Sequence, residues 1–179
     1  MNYLYAFDLS MDCTGLVIFN IDTQQPMVIT SFPTKKAWSH GKRLNQVYEG
    51  VKQFKHNYPC KVVAIERGFS RFNTATQVIF RVHGLINWLF YKYEQFYYTP
   101  KSVKEAILVG TASKEAIQKK LLLAYPHVQF ENEDESDAFA VGLTYFIKEC
   151  KMPWEKSSRK QQTAKKRTSA TPKKKGQTS

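Results

Sequence analysis

Cysteine is scarce in this chain. Cys13, Cys60 and Cys150 are odd in number, far apart and in no C-x-x-C spacing. That excludes a disulfide framework and a structural zinc site, and it points to a reducing compartment. Cys13 and Cys60 lie beside strand-like runs and read as buried thiols acting as small hydrophobes. Long apolar runs are missing as well. The longest, residues 85–91, is broken by Asn87 and falls far short of the ~20 residues that span a bilayer. No secretory leader is expected, because Asp8 interrupts the first apolar run and no charged segment precedes it. The expectation is a soluble cytoplasmic protein with no membrane partner. No internal repeat is apparent. Beyond Trp154 apolar side chains almost vanish, so that stretch cannot bury enough surface to offset its ordering entropy. Acids are lacking there too: residues 151–179 hold ten Lys/Arg against one Glu, +9 of the chain's net +12. Residues 1–150 are therefore expected to form one folded domain, and 151–179 a disordered basic tail. Such a tail suits a polyanion, nucleic acid first, or serves only as a solubilising extension.

What is present is enough for one core, with 42% apolar and 14% aromatic residues in 179. Runs at 3–9, 15–21 and 27–32 are rich in β-branched and aromatic residues and are separated by turn sequences, which predicts a three-strand meander. Leu44, Val47, Val51 and Phe54 recur at helical spacing within 40–57. Residues 61–66 read as a buried strand, 73–93 as a helix with a wide apolar stripe, and 95–99 as a last strand. Pro100 opens a helix to 109, Ser113 caps another to 125, and 134–149 forms the last. The order β-β-β-α-β-α-β-α-α-α implies an α/β domain with a mixed sheet: an antiparallel meander, then strands joined by helical crossovers.

Three acidic features stand out. Asp8 ends the apolar first strand, and Glu66 ends the other strongly apolar one, Val-Val-Ala-Ile-Glu. Ionised carboxylates there are costly unless they are paired, metal-bound or at the strand's solvent end. Residues 131–137 then pack five carboxylates into seven positions just before an apolar helix. The helix dipole alone would favour them. Asp134 and Asp137, however, are spaced i, i+3 and share a face. The small residues that follow, Ala138, Ala140 and Gly142, let this helix lie close to a sheet. Asp8, Glu66 and one or both aspartates would make a cluster of hard oxygen donors, suited to Mg²⁺ or Mn²⁺ and not to zinc.

These segments together resemble the RuvC-type Holliday-junction resolvases, of the RNase H-like superfamily. Asp8-Leu-Ser-Met-Asp-Cys-Thr-Gly15 resembles the family's first-strand segment, and Ala64-Ile-Glu66-Arg-Gly-Phe69 with Asn73-Thr-Ala its second acidic motif. Val103-Lys104, then Gly110-Thr-Ala-Ser-Lys114, resemble its lysine-bearing segments, and Asp134-Glu-Ser-Asp137-Ala-Phe-Ala its closing helix. The resemblance covers roughly residues 3–149. It implies a five-stranded mixed sheet flanked by helices and a homodimer that nicks four-way junctions and other branched DNA. It further implies two Mg²⁺ ions per site, with Mn²⁺ as substitute, held by Asp8, Glu66, Asp134 and Asp137; a neighbouring Glu is the alternative to Asp134. Lys104 and Lys114 match family lysines near the site, which contact phosphate or offset transition-state charge; otherwise they are plain exposed lysines. Phe69 matches an aromatic that stacks on a base, unless it is core. Arg67 and Arg71 flank it as further DNA contacts.

Two departures point to a divergent, phage-encoded branch acting in the cytoplasm of a bacterium or infected host. Leu9-Ser10-Met11 stands where bacterial members read Pro-Gly-Ser, with Asp12 an added carboxylate read as a turn residue, and the basic tail is outside the bacterial pattern. Two other functions compete. One is an RNase H-like nuclease for RNA–DNA hybrids. The other is a DNA-junction binder without catalysis.

Overall fold

The computed structural model describes residues 2–68 and 73–156, with 73–76 as backbone only. Strand β1 (Tyr3–Asp8) occupies the centre of a five-stranded sheet, as its nearly unbroken apolar sequence requires. On one side it pairs antiparallel with β2 (Cys13–Asn20), which pairs antiparallel with β3 (Pro26–Pro33). On the other it runs parallel to β4 (Cys60–Glu66), which runs parallel to β5 (Glu94–Tyr98). The sheet order is β3-β2-β1-β4-β5. The helices are α1 (His40–Lys52), α2 (Asn73–Leu89), α3 (Pro100–Ile107), α4 (Lys114–Ala124) and α5 (Glu133–Lys148). The order of elements and the mixed sheet are those expected. Some boundaries move: α1 stops at Lys52 because its bonds tighten to three-residue turns, Phe54 N–H reaching the Val51 carbonyl at 3.2 Å.

Alternation along the strands builds two cores. Leu4, Ala6, Val17, Phe19, Val62 and Ala64 pack toward α3, α4 and α5. Tyr3, Tyr5, Phe7, Leu16, Ile18, Val63 and Ile65 pack toward α1 and α2. Helix α5 lies directly on β1 and β2, because glycine and alanine line that contact. A Cβ on Gly142 would stand 2.3 Å from the Phe19 ring and 3.0 Å from Ala6 Cβ.

Packing continues past residue 150. Met152 and Trp154 pack against the α3–α5 core, and the Trp154 indole N–H donates to the Ile107 carbonyl at 2.8 Å. The Lys156 ammonium donates to the Glu105 carbonyl. Both acceptors belong to the last turn of α3, whose carbonyls have no partner within the helix. The rest of the expected tail, 157–179, lies outside the described residues. Among the described residues, no helix is long and apolar enough to cross a membrane.

Candidate active site

The parallel pairing of β1 with β4 aligns Phe7 with Ile65, so Asp8 and Glu66 end adjacent strands side by side. Alternation turns both toward α5: Asp8 follows Leu4 and Ala6, and Glu66 follows Val62 and Ala64, all on that face. The site therefore opens at the carboxyl ends of the parallel strands, where open α/β sheets place their ligands. Across β1–β2, Asp8 pairs with Gly15. A Cβ at Gly15 would lie 2.0 Å from the Asp134 carbonyl oxygen. The absent side chain is what lets the first turn of α5 reach Asp8.

The four acids in the first two turns of α5 separate into three roles. Asn132 caps the helix by accepting from the Glu135 N–H at 3.1 Å. Buried Glu135 reaches back, accepting from the Glu131 N–H at 2.8 Å and the Ser31 hydroxyl at 3.2 Å. This reciprocal cap removes Glu135 as a stand-in for Asp134. Exposed Glu133 instead meets Lys114 at 3.4 Å. Asp134 and Asp137 are the two whose charge is felt at Asp8.

The electrostatics show how closely the acids crowd. Burial, then Glu66, Asp137 and Asp134 hold the Asp8 carboxyl well above the usual carboxylate range, with Lys114 opposing. Burial and Asp137 push Glu66 up to about 7, against Lys114 and Lys104. The Lys114 ammonium sits 2.6 Å from Asp137. Burial alone would weaken its charge, but its bonds to Asp137 and Glu133 outweigh that and keep it protonated. As the side chains stand, no three His, Cys, Asp or Glu among the described residues are gathered tightly enough to hold a metal ion. Asp137 is ion-paired with Lys114 in this arrangement. The donor chemistry nevertheless fits a hard divalent cation: oxygen ligands only, poorly solvated, carrying more negative charge than Lys114 and Lys104 neutralise.

Lys104 and Lys114 both reach the site. They line one cavity with Glu66 and Asp137, walled by Val103 and Ile117. Arg67 is held through its backbone N–H, 2.7 Å from the Tyr98 carbonyl, and its exposed side chain borders a separate cavity with Phe80, His83 and Tyr97. Phe69 and Arg71 lie outside the described residues. Asp12 is a turn residue as expected; it ion-pairs with buried Arg43 and, at 3.9 Å, with Lys36. Leu9 and Met11, which depart from the bacterial pattern, are buried in the α1–α2 core. Cys13, expected to be a buried packing thiol, is half-buried near Asp134; burial first, then Asp134, pushes its thiol up to about 11. The signal was its position two residues before Gly15, on the same face of β2.

A family model described as crossover junction endodeoxyribonuclease RuvC matches residues 7–145. The crossover junction endodeoxyribonuclease RuvC of Sinorhizobium medicae is 27% identical over 107 residues, 58% of this chain and 64% of that protein. That of Bartonella quintana is 29% identical over 107 residues, 58% and 63% of the two chains. The match thus spans just under two thirds of these curated relatives. The fold is similar to T. thermophilus RuvC in complex with Holliday junction substrate, with a TM-score of 0.72, 17% identity, and 84% and 96% of the two chains covered. It is also similar to a yeast mitochondrial Holliday junction resolvase, with a TM-score of 0.53, 12% identity, and 79% and 78% covered.

Proposed function

The chain belongs to the RuvC family of crossover junction endodeoxyribonucleases, and from that premise we propose that it nicks four-way junctions and other branched DNA at the Asp8 site. One observation carries this reading: a half-buried carboxylate, Asp8, at the end of β1 faces three further acids in a family nuclease, a charge arrangement that a divalent cation relieves. Asp8, Glu66, Asp134 and Asp137 would hold two Mg²⁺ ions, with Mn²⁺ as substitute. When bound, such ions lower the pKa of a water and stabilise the leaving oxygen of a phosphodiester. The chain's own residues do the rest. Lys114 and Lys104, beside Glu66 and Asp137, are placed to offset charge building on the phosphorane. Phe69, Arg67 and Arg71 would engage the DNA beyond Glu66. The site would act in the cytoplasm of a bacterium or an infected host. Residues 151–179 would add sequence-blind affinity through phosphate contacts. Deleting 157–179 should then weaken junction and linear duplex binding by similar factors.

The acting form is a two-fold dimer, which supplies two sites for two symmetric nicks. Helix α2 offers the surface. Phe80 and Trp88, one helical turn on either side of Gly84, are 57% and 64% exposed, and a Cβ added at Gly84 would meet nothing within 4 Å; Tyr91, in the turn after the helix, is 69% exposed. Val82, on the same helix, is fully buried in the α1–α2 core and takes no part in that surface. Sedimentation of the free protein at micromolar concentration tests this, and a monomer both free and junction-bound would refute it.

A junction binder without catalysis gains nothing from a cluster of half-buried acids facing phosphates. A hybrid-cutting ribonuclease shares the acids but needs no branch. Labelled four-way, three-way and linear DNA and an RNA–DNA hybrid, each with and without Mg²⁺, separate the readings. Mg²⁺-dependent cutting of branched DNA is expected; cutting only of the hybrid, or none at all, would overturn it.

A further inference from the structure

We propose that the loop between β3 and α1, with the first turn of α1 and Arg81 of α2, is a second DNA-contact surface that takes the sugar–phosphate backbone of a duplex arm leaving the active site. This deepens the nuclease reading and rests on it.

Register places the loop. Pro33 ends β3 opposite Cys13, at the same end of the sheet where Asp8 and Glu66 lie. The loop is also tied to the turn that follows Asp8. The Thr34 N–H donates to the Asp12 carbonyl at 2.8 Å, and the Thr34 hydroxyl to the Met11 carbonyl at 2.6 Å. Buried Arg43 clamps both parts, reaching Thr34 Oγ1 at 2.8 Å and the Asp12 carboxylate. The loop is thus fixed relative to the cutting site.

On this frame stand exposed Lys35, Lys36 and Lys42. The Lys42 and Lys35 ammonium groups lie 4.5 and 5.7 Å from the centroid of the Trp38 ring, so one indole orients two cations. Arg81 joins them through His40. The acid ion-paired here, Asp12, is already matched by buried Arg43. Stability does not account for this charge. Lys42 lies in the first turn of α1, which carries no acid, and a cation there opposes the helix dipole. Lys35 and Lys36 are adjacent like charges. The cations are spread along two elements on an open surface, which suits an extended chain of phosphates rather than an enclosed small anion. They also answer a need created by the site, since an acidic cluster repels the backbone it must cut.

The test replaces Lys35, Lys36 and Lys42 together by Gln, and in parallel by Arg. Affinity is measured for a four-way junction and a linear duplex across a salt series, in an Asp8→Asn background that prevents cutting. The Gln variant should bind both DNAs at least ~10-fold more weakly, with a salt slope lower by about 0.9 for each phosphate left without its cation. The Arg variant should restore affinity and slope. With Asp8 intact, the Gln loss should fall on the apparent KM for junction rather than on kcat. An unchanged affinity and slope in a Gln variant that melts like the wild type would overturn the proposal, as would a loss in kcat alone. Failure of the wild type to cut any DNA would instead refute the nuclease reading.

Discussion

The two faces of the sheet use the same strands and have opposite characters. Toward α1 and α2, β1 turns Tyr3, Tyr5 and Phe7, and the Phe90 ring packs 5.2 Å from Tyr5 and 5.8 Å from Phe7. Toward α5 the same strand turns Leu4, Ala6 and Asp8, and its neighbours offer Gly15 and Ala64. Bulky rings hold helices at a distance and contribute apolar burial. Small residues let α5 close onto the sheet, so that acids at its start face an acid at the end of β1. Both faces contribute apolar burial, the α5 side through Phe19, Phe139 and Phe146, but the chemistry lies where that side's residues are smallest.

The contrast can be broken most severely at Gly15. Gly15→Ala forces a methyl against the Asp134 backbone, so α5 must shift. A loss of about 3 kcal/mol in urea unfolding is expected, and Mg²⁺-dependent cutting should fall with it. Wild-type stability and activity in Gly15→Ala would show that close approach is not required.

The acidic face should also destabilise the metal-free protein at neutral pH. Native Glu66 keeps its proton up to about pH 7, against an ordinary 4.5. Between those values the native state binds more protons than the unfolded one, so stability falls as pH rises. The size is on the order of 2–3 kcal/mol. Melting in a chelator from pH 4.5 to 8 should show this decline in the wild type and a flatter profile in Glu66→Gln. Parallel profiles would remove Glu66 as its source.

The opposite face should tolerate change without loss of chemistry. Phe90→Leu should cost about 1 kcal/mol and leave kcat as it was. A fall in kcat beyond the stability loss would mean that the faces are coupled.

Much of this contrast was legible in the residues. The strands showed in apolar runs ending on Asp8 and Glu66, and the small-residue side of α5 in Ala138 and Gly142. Two helix starts followed from Ser113, which caps α4, and Pro100, which opens α3 just inside its Thr99 cap. Less legible was anything that depends on register. Gly15 matters because it pairs with Asp8 and meets Asp134, contacts set by two different elements. Glu135 and Asp134 are adjacent acids that the helix sends to different neighbours, and only the cap geometry separates them. Val82 and Trp88 both fit an apolar stripe, yet one is core and the other surface, because a stripe wider than one buried face does not reveal its own edge. The pairing of Lys114 with both Glu133 and Asp137 was equally hidden, since it joins residues of two helices.

Cutting by Asp8→Asn is the most direct test of whether the acids on the α5 face are the nuclease site. Measured on a labelled four-way junction in Mg²⁺ beside the wild type, cleavage should fall by ~1,000-fold or more, equivalent to about 4 kcal/mol of barrier. Junction binding should be retained or tightened, because a charge facing phosphates has been removed. Cleavage by Asp8→Asn at the wild-type rate would contradict the assignment.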